Sequence, residues 1–192
     1  MTPAGQRPAR VGEAFPSLLA AAQSGGSWAF ERLYAALAPA VVGYLRMQGA
    51  ADPEDLTNEV FFNAFTAIGS FTGDEGQFRS WIFTIAHHRL IDERRRSARR
   101  PQMAGEEAKE QADSGGDVED EVLRRLSVER VRKLCERLAP DQRDVLLLRM
   151  LSAMTVEQAA EALGKSPTAV KALQRRALDA IRRLIEREGV SL

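Results

Sequence analysis

Among the 192 residues there is one cysteine, Cys135, and there are two histidines, His87 and His88. A single thiol excludes a disulfide framework and any cysteine-cluster metal site. With Val131, Leu134 and Leu138 as neighbours, Cys135 is expected to be a small buried hydrophobe. Adjacent histidines point different ways on a helix, so His87 and His88 are not a metal pair. No apolar run approaches the ~20 residues of a membrane span, and no signal-peptide core is present. A cytoplasmic protein without membrane insertion is expected. Alternating apolar and polar runs rich in β-branched residues are also missing, which removes strands and predicts an all-α fold. Paired catalytic carboxylates and a nucleophile beside a base are lacking as well. Neither an enzyme nor a cofactor site is expected.

One phosphate-binding signal needs testing. Gly164-Lys165-Ser166 has the ending of a phosphate loop, but the first glycine of that motif would fall at Ala159. Val156, Ala159, Ala160 and Leu163 recur instead with a helical period. Ser166-Pro167 then supplies an N-cap hydroxyl and a residue preset for a first helical turn. The stretch reads as helix, glycine turn, helix.

Helical patterns cover about 15–24, 27–48, 53–68, 77–97, 120–138, 141–152, 155–163 and 167–187. Asp52-Pro53 marks one start, and Thr155 with Gln158 forms a capping box at another. Residues 1–13 are polar and expected to be a disordered tail, and 101–120 reads as a flexible acidic linker. Two small helical domains, 14–100 and 121–192, are therefore expected.

Net charge is zero, with 27 basic and 27 acidic residues, yet the charges are sorted. Residues 77–100 hold seven arginines against Asp92 and Glu93, and 163–187 hold seven basic residues against Asp179 and Glu186. Between Met47 and Phe78 there are six acids and no Lys or Arg. Two basic blocks suggest two nucleic-acid contacts, and the acidic block suggests a different partner. Solvated helix surfaces are the plainer alternative.

Three surfaces follow. On the last helix, Val170, Leu173, Ala177, Leu178, Ile181, Leu184 and Ile185 fall on one stripe, with Gln174 inside it. Thr168, Ala172, Arg175 and Arg176 lie opposite, where a recognition helix meets base edges. Lys165, Lys171 and Arg182 suit phosphates. In residues 79–100, Phe78, Trp81, Ile82, Ile85 and Ala86 form the buried stripe, and Arg89 with Asp92 is expected as an internal ion pair. Phe83, His87 and His88 fall off that stripe beside arginines, which suits unstacked bases of single-stranded DNA. In residues 52–65, Leu56, Val60, Phe61 and Ala64 point inward. Asp55, Asn58, Glu59 and Phe62 share the other side, an outward aromatic among carboxylates that suits a basic protein partner.

The ordered segments "AFERLYAALAPAVVGYLR", "DPEDLTNEVFFNAF", "FRSWIFTIAHHRLIDERRR" and "LAPDQRDVLLLRMLSAMTVEQAAEALGKSPTAVKALQRRAL" resemble the extracytoplasmic-function group of the sigma-70 family of bacterial RNA polymerase initiation factors. The resemblance covers most of residues 29–185. It implies a region 2 domain for core polymerase and the −10 promoter element, and a region 4 helix-turn-helix for the −35 element. Partners implied are the β′ clamp helices and β flap of core polymerase, promoter DNA, and a possible anti-sigma factor. By position, Asp55, Asn58, Glu59 and Phe62 would meet the clamp. Arg79, Trp81, His88, Arg94, Arg95 and Arg96 would lie at the −10 DNA, with the loop Phe71–Gln77 near an extruded base. Lys165, Ser166, Thr168, Lys171, Arg175 and Arg176 would lie at the −35 DNA. Asn58 stands where the family usually has Gln, and His88 where Asn is frequent. Leu173 and Gln174 replace a common Arg-Leu pair. The competing class is an autonomous helix-turn-helix regulator that oligomerises through its other domain.

Overall fold

A computed structural model describes residues 11–99 and 129–188. The expected tail up to residue 10 and the expected linker 101–120 lie outside the described residues. Among the described residues the chain is helical and contains no strand. The helices are α1 (Phe15–Gln23), α2 (Ser27–Gln48), α3 (Pro53–Ala67) and α4 (Glu75–Arg99). A further helix, α5, is described over 129–136, followed by α6 (Pro140–Leu151), α7 (Val156–Leu163) and α8 (Pro167–Glu188).

Helix boundaries are set by short-range chemistry. Gly49 adopts φ 78° after α2, letting its own amide and that of Ala50 return to the carbonyls of Arg46 and Leu45. Asp52 accepts from the Asp55 amide at 2.8 Å while Pro53 occupies the first turn of α3. Asp74 and Gln77 form a reciprocal box, with each side chain accepting from the other's amide at 2.8 Å. That box starts α4 at Glu75, two residues before the predicted start, so Gln77 is helical and not part of the loop.

The buried side chains of α1–α4, Phe15, Leu33, Tyr44, Phe61, Phe78 and Phe83 among them, pack into one core. This core does not stop at the first half of the chain. It runs on through Val145 and Leu148 of α6, Met154, and Ala159 and Ala160 of α7. Helix α6 packs on α2, and α7 packs on α4. The two helical units, expected from the sequence as separate, are in contact. A smaller cluster of Leu138, Leu146 and Ala177 holds α8 against α6.

Candidate protein and nucleic-acid interfaces

Helix α3 divides cleanly into two sides. Leu56, Val60, Phe61 and Ala64 are buried, while Asp55, Asn58 and Phe62 are exposed and Glu59 is half-buried. Phe62 is 74% exposed, a large apolar surface left in water. Tyr34 of α2 borders this face: its hydroxyl donates to Asn58 Oδ1 at 2.9 Å, and its ring lies 4.8 Å from that of Phe61. Glu59 faces Arg96 of α4 at 4.0 Å, and Arg46 pairs with Glu54. These exposed pairs are worth ~0–1 kcal/mol each, so they orient side chains more than they hold the fold. Tyr34 was absent from the expected site because a contact between α2 and α3 has no local sequence signal.

Helix α4 carries the first basic block. His88, Arg95 and Arg96 are exposed, and Arg95 lies 3.9 Å from Asp92. Arg94 reaches back to the end of α2, donating to the Gln48 carbonyl at 2.6 Å and to Gln48 Oε1 at 3.2 Å. Trp81 is half-buried and stacks on Phe71, with ring centroids 5.1 Å apart. Arg79 is buried at 5% exposure, so its guanidinium does not lie on the open face of α4. Two expectations are corrected. Phe83 and His87 are core residues and not an outward aromatic face, because α4 packs on α2, α3 and α7 at once. Arg89 donates to Asn63 Oδ1 at 2.8 Å and does not pair with Asp92.

Helices α7 and α8 form a helix-turn-helix. Thr155 and Gln158 make the predicted capping box, and Gly164 turns at φ 61°. This left-handed turn is followed directly by a helix cap, with Ser166 Oγ accepting from the Ala169 amide at 3.2 Å. Gly164-Lys165-Ser166 is a turn between helices. Thr168, Lys171, Arg175 and Arg176 are exposed along the outer side of α8. Lys165 Nζ is bound to Asp141 at 2.8 Å. The rotation of α8 differs slightly from the predicted stripe: Leu178 is exposed, and half-buried Gln174 accepts from Arg149 at 3.4 Å. Arg149 gives the inward amide a partner, which lets a polar residue take a place within the stripe.

Where α6 meets α2, polar groups are buried. Gln48 Nε2 donates to Asp144 Oδ1 at 2.7 Å and lies 3.5 Å from the Tyr44 hydroxyl. Tyr44 in turn lies 3.0 Å from His87 Nδ1. Burial, reinforced by the Asp144 carboxylate, pushes the Tyr44 phenol far above its ordinary range. Burial also lowers the pKa of His87, with Asp144 opposing. With a neutral imidazole the consistent assignment has Tyr44 donating to Nδ1. Burial raises the Cys135 thiol above its usual value, as suits an inert core position. Among the described residues no cluster of His, Cys, Asp and Glu could hold a metal. No described helix is long and apolar enough to cross a membrane.

An outward aromatic on an acidic helix face and a basic helix-turn-helix occur together in this chain. The family described as Sigma-70 region 2 matches residues 33–100, and Sigma-70, region 4 matches 128–181. The ECF RNA polymerase sigma factor BldN of Streptomyces coelicolor is 35% identical over 170 residues, which span 88% of this chain and 64% of BldN. The ECF RNA polymerase sigma factor ShbA of Streptomyces griseus is 32% identical over 136 residues, 69% of this chain and 71% of ShbA. The solved structure of CnrH in complex with the cytosolic domain of CnrY superposes with a TM-score of 0.66 at 26% identity, covering 91% of this chain and 98% of that one. This chain belongs to the sigma-70 family, in its extracytoplasmic-function group of RNA polymerase sigma factors.

Proposed function

We propose that the chain docks on core RNA polymerase through Asp55, Asn58, Glu59 and Phe62, and directs initiation at promoters read by α4 and α8. The observation that carries this reading is Phe62, 74% exposed on an acidic helix face, in the same chain as a basic helix-turn-helix. An aromatic anchor ringed by carboxylates suits a basic, grooved protein surface such as the β′ clamp helices. On α8, Arg175 and Arg176 suit the two acceptors of guanine, Lys171 and Thr168 suit phosphates, and the hydroxyl of Ser166 lies at the helix start beside them. Those residues would read the −35 element, with Lys165 at its edge and the β flap behind the domain. On α4, Trp81, His88, Arg95 and Arg96 face the −10 DNA, while Arg79 and Arg94 support that face from beneath and behind. The chain acts by binding, without catalysis of its own, in the cytoplasm where polymerase and promoter are found. The complex of CnrH with the cytosolic domain of CnrY supports a further protein partner for this chain also, a place that an anti-sigma factor would fill. An autonomous regulator would use one DNA reader per chain and a symmetric interface. Two unlike basic surfaces and the α3 patch weigh against it.

The test is the double substitution Asp55→Arg with Glu59→Arg. Both groups face outward, so folding should change little. Core-polymerase binding is expected to be lost with the circular dichroism spectrum intact. Wild-type affinity for core polymerase in the double variant would overturn the docking assignment.

A further inference from the structure

We propose that Gln23 is a positioning residue for base recognition: with Glu75 it braces the loop Phe71–Asp74, so that one base of the −10 element meets a preformed surface. This rests on the reading of α4 and the loop before it as the −10 reader. Gln23 is the last residue of α1, and the chain around it leaves its side chain free. The amides of Gly25 and Gly26 return to the carbonyls of Ala22 and Ala21, each at 2.9 Å, so the helix end is satisfied by its own turn. Gln23 Nε2 donates instead to two carbonyls far along the chain, that of Phe71 at 2.8 Å and that of Ile68 at 3.1 Å. A carboxamide nitrogen carries two N–H donors, which matches the two carbonyls.

Glu75 holds the other end of the loop. Its Oε1 accepts from the Val11 amide at 2.8 Å and its Oε2 from the Gly12 amide at 2.9 Å, tying the chain just ahead of α1 to the first residue of α4. Between the two ties lie Thr72, Gly73 and Asp74, all exposed. Helix α1 packs on the base of α4 through Phe15 and Phe78, with ring centroids 5.6 Å apart. Packing does not reach the loop tip. An open cleft of about 660 Å³ lies there, lined by Phe15, Leu19, Gln23, Gly73, Asp74 and Glu75. The polar bonds of Gln23 and Glu75 are therefore what ties α1 and the chain ahead of it to the loop.

The brace also reaches Trp81. Phe71, whose carbonyl Gln23 holds, stacks on Trp81 with centroids 5.1 Å apart and meets Phe78 edge-on at 5.2 Å. Order in the loop and cover over Trp81 are thus linked through one residue. A base taken out of the stack is selected by groups already fixed in place around it. A loop free to move can re-form its contacts around a wrong base, and ordering it on binding weakens the right and the wrong complex alike. Loss of the Gln23 bonds should therefore lower discrimination at one position more than it lowers promoter affinity overall. Gln23 is exposed and lies outside the residues assigned to polymerase and DNA, so its substitution should leave the fold intact.

The experiment uses the full-length chain with the exposed Trp28 changed, Trp28→Phe, which leaves Trp81 as its single tryptophan. Gln23→Leu keeps the bulk of the side chain and removes both donors, and Glu75→Ala removes the second tie. In the free chain, acrylamide quenching of Trp81 is expected to rise in Gln23→Leu. With core polymerase, initiation is compared on promoters carrying each base at each −10 position in turn. A base pair that is read carries a preference of about 10-fold or more, and Gln23→Leu should bring one −10 position close to parity. Glu75→Ala should weaken the preference at that same position. Preferences at the −35 element should stay at the parent level in both variants. A general loss of folded protein would lower all promoters alike and change no preference. Unchanged quenching in Gln23→Leu, or a −10 preference that stays at the parent level or falls together with the −35 preferences, would overturn the brace. The quenching needs neither polymerase nor DNA, so its failure leaves the functional reading standing. A parent chain that does not initiate with core polymerase would overturn the functional reading, and the base-reading role of Gln23 with it.

Discussion

His87 shows how a residue with a surface-like sequence setting becomes a structural one. Burial holds its imidazole neutral, and the Tyr44 hydroxyl meets Nδ1 at 3.0 Å. Its folded pKa lies below the unfolded value of about 6.5, so between the two the unfolded chain binds more protons. Stability contributed by the neutral ring is full above about pH 6.5 and is lost as pH falls below it. Urea midpoints should therefore drop between pH 7 and pH 5, and His87→Gln should flatten that drop. An equal slope in the variant would place the acid sensitivity elsewhere. The basic residues of α8 make a second residue-scale prediction. Arg175→Ala or Arg176→Ala should lose ~1–3 kcal/mol of discrimination at one or two upstream base pairs, measured by binding to single-base promoter variants. Lys171→Ala should weaken all sequences alike and reduce the salt slope by about one phosphate contact. Uniform weakening by the arginine variants would refute the assigned groove orientation of α8.

At the scale of the element, caps decide where helices begin. Thr155 and Gln158 satisfy two amides at the start of α7. Thr155→Ala should cost about 1 kcal/mol in denaturant unfolding, and Gln158→Ala should cost less because it leaves the N-cap hydroxyl in place. No change on Thr155→Ala would mean that packing of α7 on α4 and α8 overrides its cap. Such starts are legible in sequence because cap and helix are a few residues apart: Asp52-Pro53, Thr155 with Gln158, and Ser166-Pro167 all read correctly. The two sides of α3 were equally legible, since only one side of that helix is buried. Helix α4 was not. Its sequence was read with a single apolar stripe, but contacts with α2, α3 and α7 bury a wider arc that takes in Phe83 and His87. The Arg89–Asn63 and Tyr34–Asn58 bonds join different helices, so spacing along either one gives no sign of them.

For the whole molecule, zero net charge conceals a sorting of charge that blocks of sequence reveal and the fold preserves. The acidic side of α3 and the basic outer side of α8 both remain accessible while α6 and α7 close against α2 and α4. That closure could not be read from the sequence, because Gln48 and Asp144 lie 96 residues apart and neither belongs to a recognisable motif. The family places a polymerase-docking surface and two promoter readers in one chain, and such a protein should be inert on DNA until core polymerase joins it. Run-off transcription with purified core polymerase tests this most directly, using promoters obtained by mapping start sites after overexpression. The expected result is initiation at a defined start only when both core polymerase and this chain are present, and its loss with Asp55→Arg and Glu59→Arg. Tight, specific promoter binding by the chain alone as a dimer, with no effect on core polymerase, would contradict it.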